Sequence, residues 1–89
     1  MWGSPDETER RNRIKLAVAA YAYEFDNTSI MSDAEFDEFA LLIDPQISTG
    51  NTPLDQFFRT EFQPDTGQWI HRHPELDRVK YVYERFYKR

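Results

Sequence analysis

An 89-residue chain, 39% apolar and 16% aromatic, makes one domain whose core can fold alone, though not by a wide margin. The absence of cysteine removes disulfide frameworks and thiolate metal sites, and no apolar run approaches the ~20 residues of a membrane span. The net charge of −5 is unevenly divided: residues 1–68 carry 13 acids against 5 bases and residues 69–89 carry 3 acids against 6 bases, so phosphate binding is disfavoured outside the C-terminal stretch.

The first helix is announced by Ser4-Pro5-Asp6-Glu7, with Ser4 as cap, Pro5 at the first helical position and Glu7 closing a capping box. Ile14, Val18, Tyr21 and Phe25 repeat at helical spacing, and Leu16, Ala17, Ala20 and Tyr23 widen the apolar stripe. The turn-forming run Asp26-Asn27-Thr28-Ser29 stops the helix, which spans roughly 5–25. The preceding MWGSPDETERR lacks the apolar region of a signal peptide, and a cytoplasmic protein is the expectation.

Ser32, Asp33, Ala34 and Glu35 form an S-x-x-E capping box that opens a second helix. Phe36, Phe39, Ala40 and Ile43 then mark its buried stripe, and Pro45 ends it at about Asp44. After a loop with Gly50 at its flexible point, Thr52-Pro53-Leu54-Asp55 repeats the start signal. A short helix over about 53–62 follows, with Leu54, Phe57, Phe58 and Phe62 as its apolar face. Pro64 to Gly67 is a turn, and Gln68 to His73 is either a short extended piece or an anchor under the loop.

Pro74 opens a fourth helix over about 74–88, with Leu76, Val79, Tyr83 and Phe86 facing inward. Glu84 and Lys88 form an i,i+4 pair, and Lys88 and Arg89 suit the negative end of the dipole. The sequence therefore predicts one small all-α domain of about four helices, organised around a helical hairpin over about 5–44.

Between Glu24 and Asp44 stand seven acids (Glu24, Asp26, Asp33, Glu35, Asp37, Glu38, Asp44) and no base. One reading is a solvated face that keeps an aromatic-rich protein soluble. The other is an electrostatic surface, through Asp33, Glu35, Asp37 and Glu38, for a protein partner with a basic surface. A variant of that reading is an acidic mimic of nucleic acid that inhibits a DNA- or RNA-binding protein. By analogy alone, compact acidic accessory proteins of this kind suit bacteriophages and mobile elements.

His71 and His73 make an H-x-H beside Trp69, but no cysteine or carboxylate spacing completes a metal site, and the plainer reading is two surface histidines before a cap. There is no GxGxxG, Walker loop or HExxH, so no catalytic constellation is expected. In the last helix Tyr81, Tyr83, Tyr87, Lys80, Arg85, Lys88 and Arg89 interleave rings and bases as single-strand binders do, but Tyr83 shares the core stripe and the plainer reading of the rings is packing, with Tyr81 and Lys88 the better surface candidates.

The run from Glu24-Phe25-Asp26-Asn27 to Ser32-Asp33-Ala34-Glu35-Phe36-Asp37 resembles the small N-terminal helical domain of NAD-dependent DNA ligases, over roughly residues 14–43. In that family the domain closes over NAD and contacts its nicotinamide mononucleotide half. The resemblance implies a ligand-facing set of Tyr23, Asp33, Phe36 and Asp37, with Phe36 standing where the family has tyrosine. The family's upstream aromatic pair falls on Ala22-Tyr23 in one register and on Tyr23-Glu24 in the other. None of Lys15, Lys80 or Lys88 lies in the family's adenylate-accepting Lys-x-Asp-Gly motif, so ligation is not implied. The leading expectation is a non-catalytic binding module acting through a basic protein partner. The alternative is recognition of nicotinamide mononucleotide or NAD, the one cofactor class in view.

Overall fold

Ser4 begins the first helix in the computed structural model, which describes residues 4–88. Arg89, assigned above to the last helix dipole, and the first three residues of the leader reading lie outside the described residues. Helix α1 runs Pro5–Asp26, with Ser4 Oγ accepting the Glu7 N–H at 3.4 Å. The Ser4 hydroxyl donates to Asp6 and holds that carboxyl below its ordinary value, so Asp6 is the acid that answers the cap rather than Glu7. Asn27 ends the helix in the left-handed region at φ 50°, and its N–H and that of Thr28 both donate to the Ala22 carbonyl.

Helix α1 is the axis of the fold. Leu16, Ala17, Val18, Ala19, Ala20 and Ala22 are each at most 4% exposed, because small side chains let helices approach from several sides. It packs against α2 (Asp33–Leu42), the 3-10 helix Gln68–Arg72 and α4 (Leu76–Phe86). The expected stripe is corrected at both ends: Ile14 is 51%, Tyr23 60% and Phe25 45% exposed. Burial concentrates at the centre of α1, where its neighbours crowd; Phe25 instead stacks on Tyr21 at 4.7 Å and lies 4.7 Å from the His71 ring.

A second group of rings closes the other side of the core. Helix α3 runs Thr52–Thr60, capped by Asn51 Oδ1 from the Leu54 N–H rather than by Thr52. Phe62 lies past its end and packs on Trp69 at 5.1 Å. Gln68–Arg72 is neither strand nor loose loop: its 3-10 turn sinks Trp69 and Ile70 into the core, and Trp69 Nε1 donates to the Thr66 carbonyl at 2.7 Å.

Helix α4 starts two residues later than Pro74 predicts, because Glu75 holds a non-helical φ of −123° and takes the cap position. Val79 and Tyr83 are buried, and the Tyr83 hydroxyl donates to Asp26 at 2.5 Å, which keeps the phenol protonated above its usual range. Phe86 is 69% exposed, against expectation, since α1 has ended at Asp26 and leaves the next turn of α4 nothing to pack on. Lys88 reaches toward Asp26, 3.8 Å away, rather than pairing with Glu84. The domain is all-helical, with no strand among the described residues.

Candidate functional site: an acidic cleft in the helical hairpin

The capping box fixes where α2 begins and therefore where its side chains point. Ser32 Oγ accepts the Glu35 N–H and Glu35 Oε1 accepts the Ser32 N–H, both at 3.1 Å. That backbone N–H, with the Ser32 hydroxyl, holds the Glu35 carboxyl below its ordinary value. From this start Asp33, Phe36 and Asp37 fall at i, i+3 and i+4, on the side of α2 that faces the last turns of α1.

All four residues of the expected ligand set, Tyr23, Asp33, Phe36 and Asp37, line one cleft of about 420 Å³. Its far wall is the loop Asp65–Gln68, where a Cβ on Gly67 would lie 3.5 Å from Ala20 and 3.6 Å from the Phe36 ring. Four carboxylates line the cleft (Glu24, Asp33, Asp37, Asp65), with the rings of Tyr23 and Phe36 and no lysine or arginine. Tyr23 is 60% exposed, so its ring is open to a ligand. Glu24 is also held by His71 Nε2 at 2.9 Å.

Of the two registers for the upstream pair, Tyr23-Glu24 lines the cleft, whereas Ala22 is fully buried in the core and faces no ligand. The acidic face likewise divides. Asp33 and Asp37 turn into the cleft, Glu35 is engaged at the cap, and Glu38 stands exposed on the outer side of α2. His71 and His73 do not converge. His73 Nδ1 accepts the Glu75 N–H at 3.0 Å, its ring lies 5.4 Å from Phe57, and burial pushes its pKa down to about 4 against the raising effect of Glu75. No group of three or more potential metal ligands occurs among the described residues.

The most buried polar cluster among the described residues lies elsewhere, at positions assigned no site role from the sequence alone. Arg13, 1% exposed, donates from Nε to Glu9 at 2.6 Å, from Nη1 to Asp55 at 2.7 Å, and from Nη2 to the Asp44 and Ile47 carbonyls at 3.1 Å. Glu9 also accepts the Asp44 N–H at 3.0 Å, and Asp55 accepts the Thr49 hydroxyl at 2.7 Å and its N–H. Burial raises the Asp55 pKa, but the Thr49 donors and then Arg13 outweigh it and hold the carboxyl below its ordinary value. With every buried side-chain polar atom partnered among the described residues, the cluster is a clamp that pins the loop 43–51 between α1 and α3. The sequence carries a signal for it: Glu9, Arg13, Leu16, Ala17 and Ala20 continue one helical stripe.

A second groove, of about 410 Å³, runs between the first half of α1, the start of α3 and α4. Its apolar wall includes Ile14, Leu54, Val79 and Val82, with Arg10 and Arg78 at its edge. No helix among the described residues is long and apolar enough to cross a membrane. Comparison with protein-family models, curated proteins and solved structures returned no match.

Proposed function

We propose that this domain is a non-catalytic binding module whose hairpin cleft receives a positively charged group, presented by a protein partner with a basic surface. One observation carries the reading: four carboxylates and two aromatic rings line one cleft, and no base does. A guanidinium or ammonium entering there gains carboxylate partners and a ring face, worth about 0.5–2 kcal/mol for the ring alone. The carboxylates also steer a basic partner toward the site over a distance set by salt.

A second reading rests on the ligase-like residues. Tyr23, Asp33, Phe36 and Asp37 line the same cleft, and the pyridinium of nicotinamide mononucleotide is a flat cation of the chemistry the cleft accepts. Phe36 lacks the hydroxyl of the family's tyrosine, so affinity no tighter than about millimolar is expected, or ~4 kcal/mol. An acidic mimic of nucleic acid would use the outer acids, chiefly Glu38, rather than the cleft.

Amide-resolved titration separates these readings. An arginine-rich peptide should shift Tyr23, Asp33–Asp37 and Asp65–Gln68, with the shifts fading at high salt and lost in Asp33→Asn/Asp37→Asn. Nicotinamide mononucleotide producing the same pattern while the peptide does not would favour the second reading. No shift with either, at several times a ~1 mM dissociation constant, removes the cleft as the working site.

A further inference from the structure

Two surfaces of the chain stand open to water, and each has chemistry the other lacks. On the outer side of α2, Leu41 and Leu42 are 79% and 58% exposed, the only apolar pair in the helix left in water. Leu41 follows Asp37 by four residues and Glu38 by three, so the leucines and these acids share one helical surface. The groove between α1 and α4 presents apolar wall, including Ile14 at 51% exposed. Its edge carries the guanidinium groups of Arg10 and Arg78, whose side chains are 51% and 82% exposed. Arg10 Nε donates to the Thr49 carbonyl at 2.9 Å, which fixes the guanidinium at the edge without cancelling its charge. Glu75 lies 3.5 Å from Arg78 and Asp6 3.8 Å from Arg10, and these exposed pairs offset the positive edge only in part.

We propose that the outer face of α2 in one copy of this chain docks into the α1–α4 groove of a second copy. Leu41 and Leu42 would enter the apolar groove, and Asp37 and Glu38 would meet Arg10 and Arg78. Helix-in-groove recognition uses such i, i+3, i+4 anchors with charges at the rim. Face and groove are different surfaces, so the contact is heterologous: each copy offers one of each, and assembly proceeds head to tail. The docking face is a different surface from the hairpin cleft, although Asp37 borders both.

Sedimentation velocity against concentration, at low and physiological salt, tests the pairing. The wild-type chain should exceed its 10.7 kDa monomer mass as concentration rises, more so at low salt. A face variant, Leu41→Gln/Leu42→Gln, and a groove variant, Ile14→Glu/Arg78→Glu, should each weaken association about tenfold or more. All four positions are more than half exposed, so both variants should melt like the wild type, and Leu41→Ala/Leu42→Ala repeats the face test with good helix formers. The deciding result is complementation. The face variant keeps its groove and the groove variant keeps its face, so a mixture should form a one-to-one pair that neither forms alone. A wild-type chain monomeric to about millimolar concentration, variants that associate as the wild type does, or a mixture that does not pair would each overturn the proposal.

Discussion

Arg13 and Asp55 meet at 2.7 Å across 42 positions of sequence, both almost wholly removed from water. The contact joins the first turns of α1 to the first turn of α3, and through Thr49 it reaches the loop between them. A buried guanidinium left without its carboxylate costs far more than the pair contributes when intact. Asp55→Ala is therefore expected to destabilise the domain by about 3–5 kcal/mol in urea unfolding, a large share of a small domain's stability. Asp55→Asn keeps an acceptor for Thr49 and should cost less, and equal losses for the two would mean that the loop donors contribute nothing.

The aromatic core separates two phenylalanines that look alike in sequence. Phe58 is 1% exposed, whereas Phe39 is only partly buried, with Lys15 Nζ 4.8 Å from its ring centroid. Phe58→Ala should cost about 3–5 kcal/mol and Phe39→Ala about 1–3 kcal/mol by chemical denaturation. The reverse order would mean that α2 is held more tightly than its burial indicates.

Stability should also carry a pH signature from His73. Its folded pKa of about 4 lies below the ordinary 6.5, so the unfolded chain takes up the proton first. The neutral ring's contribution is complete above pH 6.5 and is lost as pH falls toward about 4. Allowing for its partial exposure, the loss should be about 1–2 kcal/mol. Asp55, whose pKa is lowered, loses its contribution further down, as pH falls below the ordinary 3.8. Urea midpoints at pH 7, 5.5 and 4, compared with His73→Leu, check this; a variant falling as steeply as the wild type would assign the slope to other groups.

The hairpin depends on one hydroxyl more than its exposure suggests. Ser32→Ala removes the acceptor for the Glu35 N–H and should cost about 1 kcal/mol. Because Asp33, Phe36 and Asp37 take their direction from that cap, titration shifts in the cleft should weaken in this variant even though no lining residue has changed. Unaltered cleft shifts alongside a lowered melt would show that packing alone aligns α2.

The helices were legible where local chemistry decides them. Ser4 and Ser32 were read as caps and act as caps, since a hydroxyl satisfying an N–H three residues on is a local contact. The errors fall where tertiary contacts decide. Glu75 is drawn out of the helix while Asn51 and Arg78 bond its carboxylate, and this delays α4. Ile14 and Phe86 carry the right spacing for burial but lie where no neighbouring helix covers them. The cleft's members were legible because α2 brings three of them to one face, while Asp65 and Gly67 were not, since their place is set by Trp69 anchoring the loop. The Glu9–Arg13 pair falls on the same helical stripe as Leu16, Ala17 and Ala20, but its partner Asp55 lies 42 positions away and only the fold brings it there.

The middle of α1 has a consequence for how this protein breathes. Residues 16–20 and 22 offer almost no surface to water, and their backbone hydrogen bonds lie beneath several neighbouring elements. Local fraying of α2, the 3-10 helix or α4 can uncover one side of that segment but not all of them. Deuterium should therefore enter the amides from Leu16 to Ala22 only when the whole domain opens, and their exchange rates should converge on a single free energy. One stretch of α1 thus serves as an internal gauge of global opening, against which looser motions at the cleft and at the second groove can be timed separately.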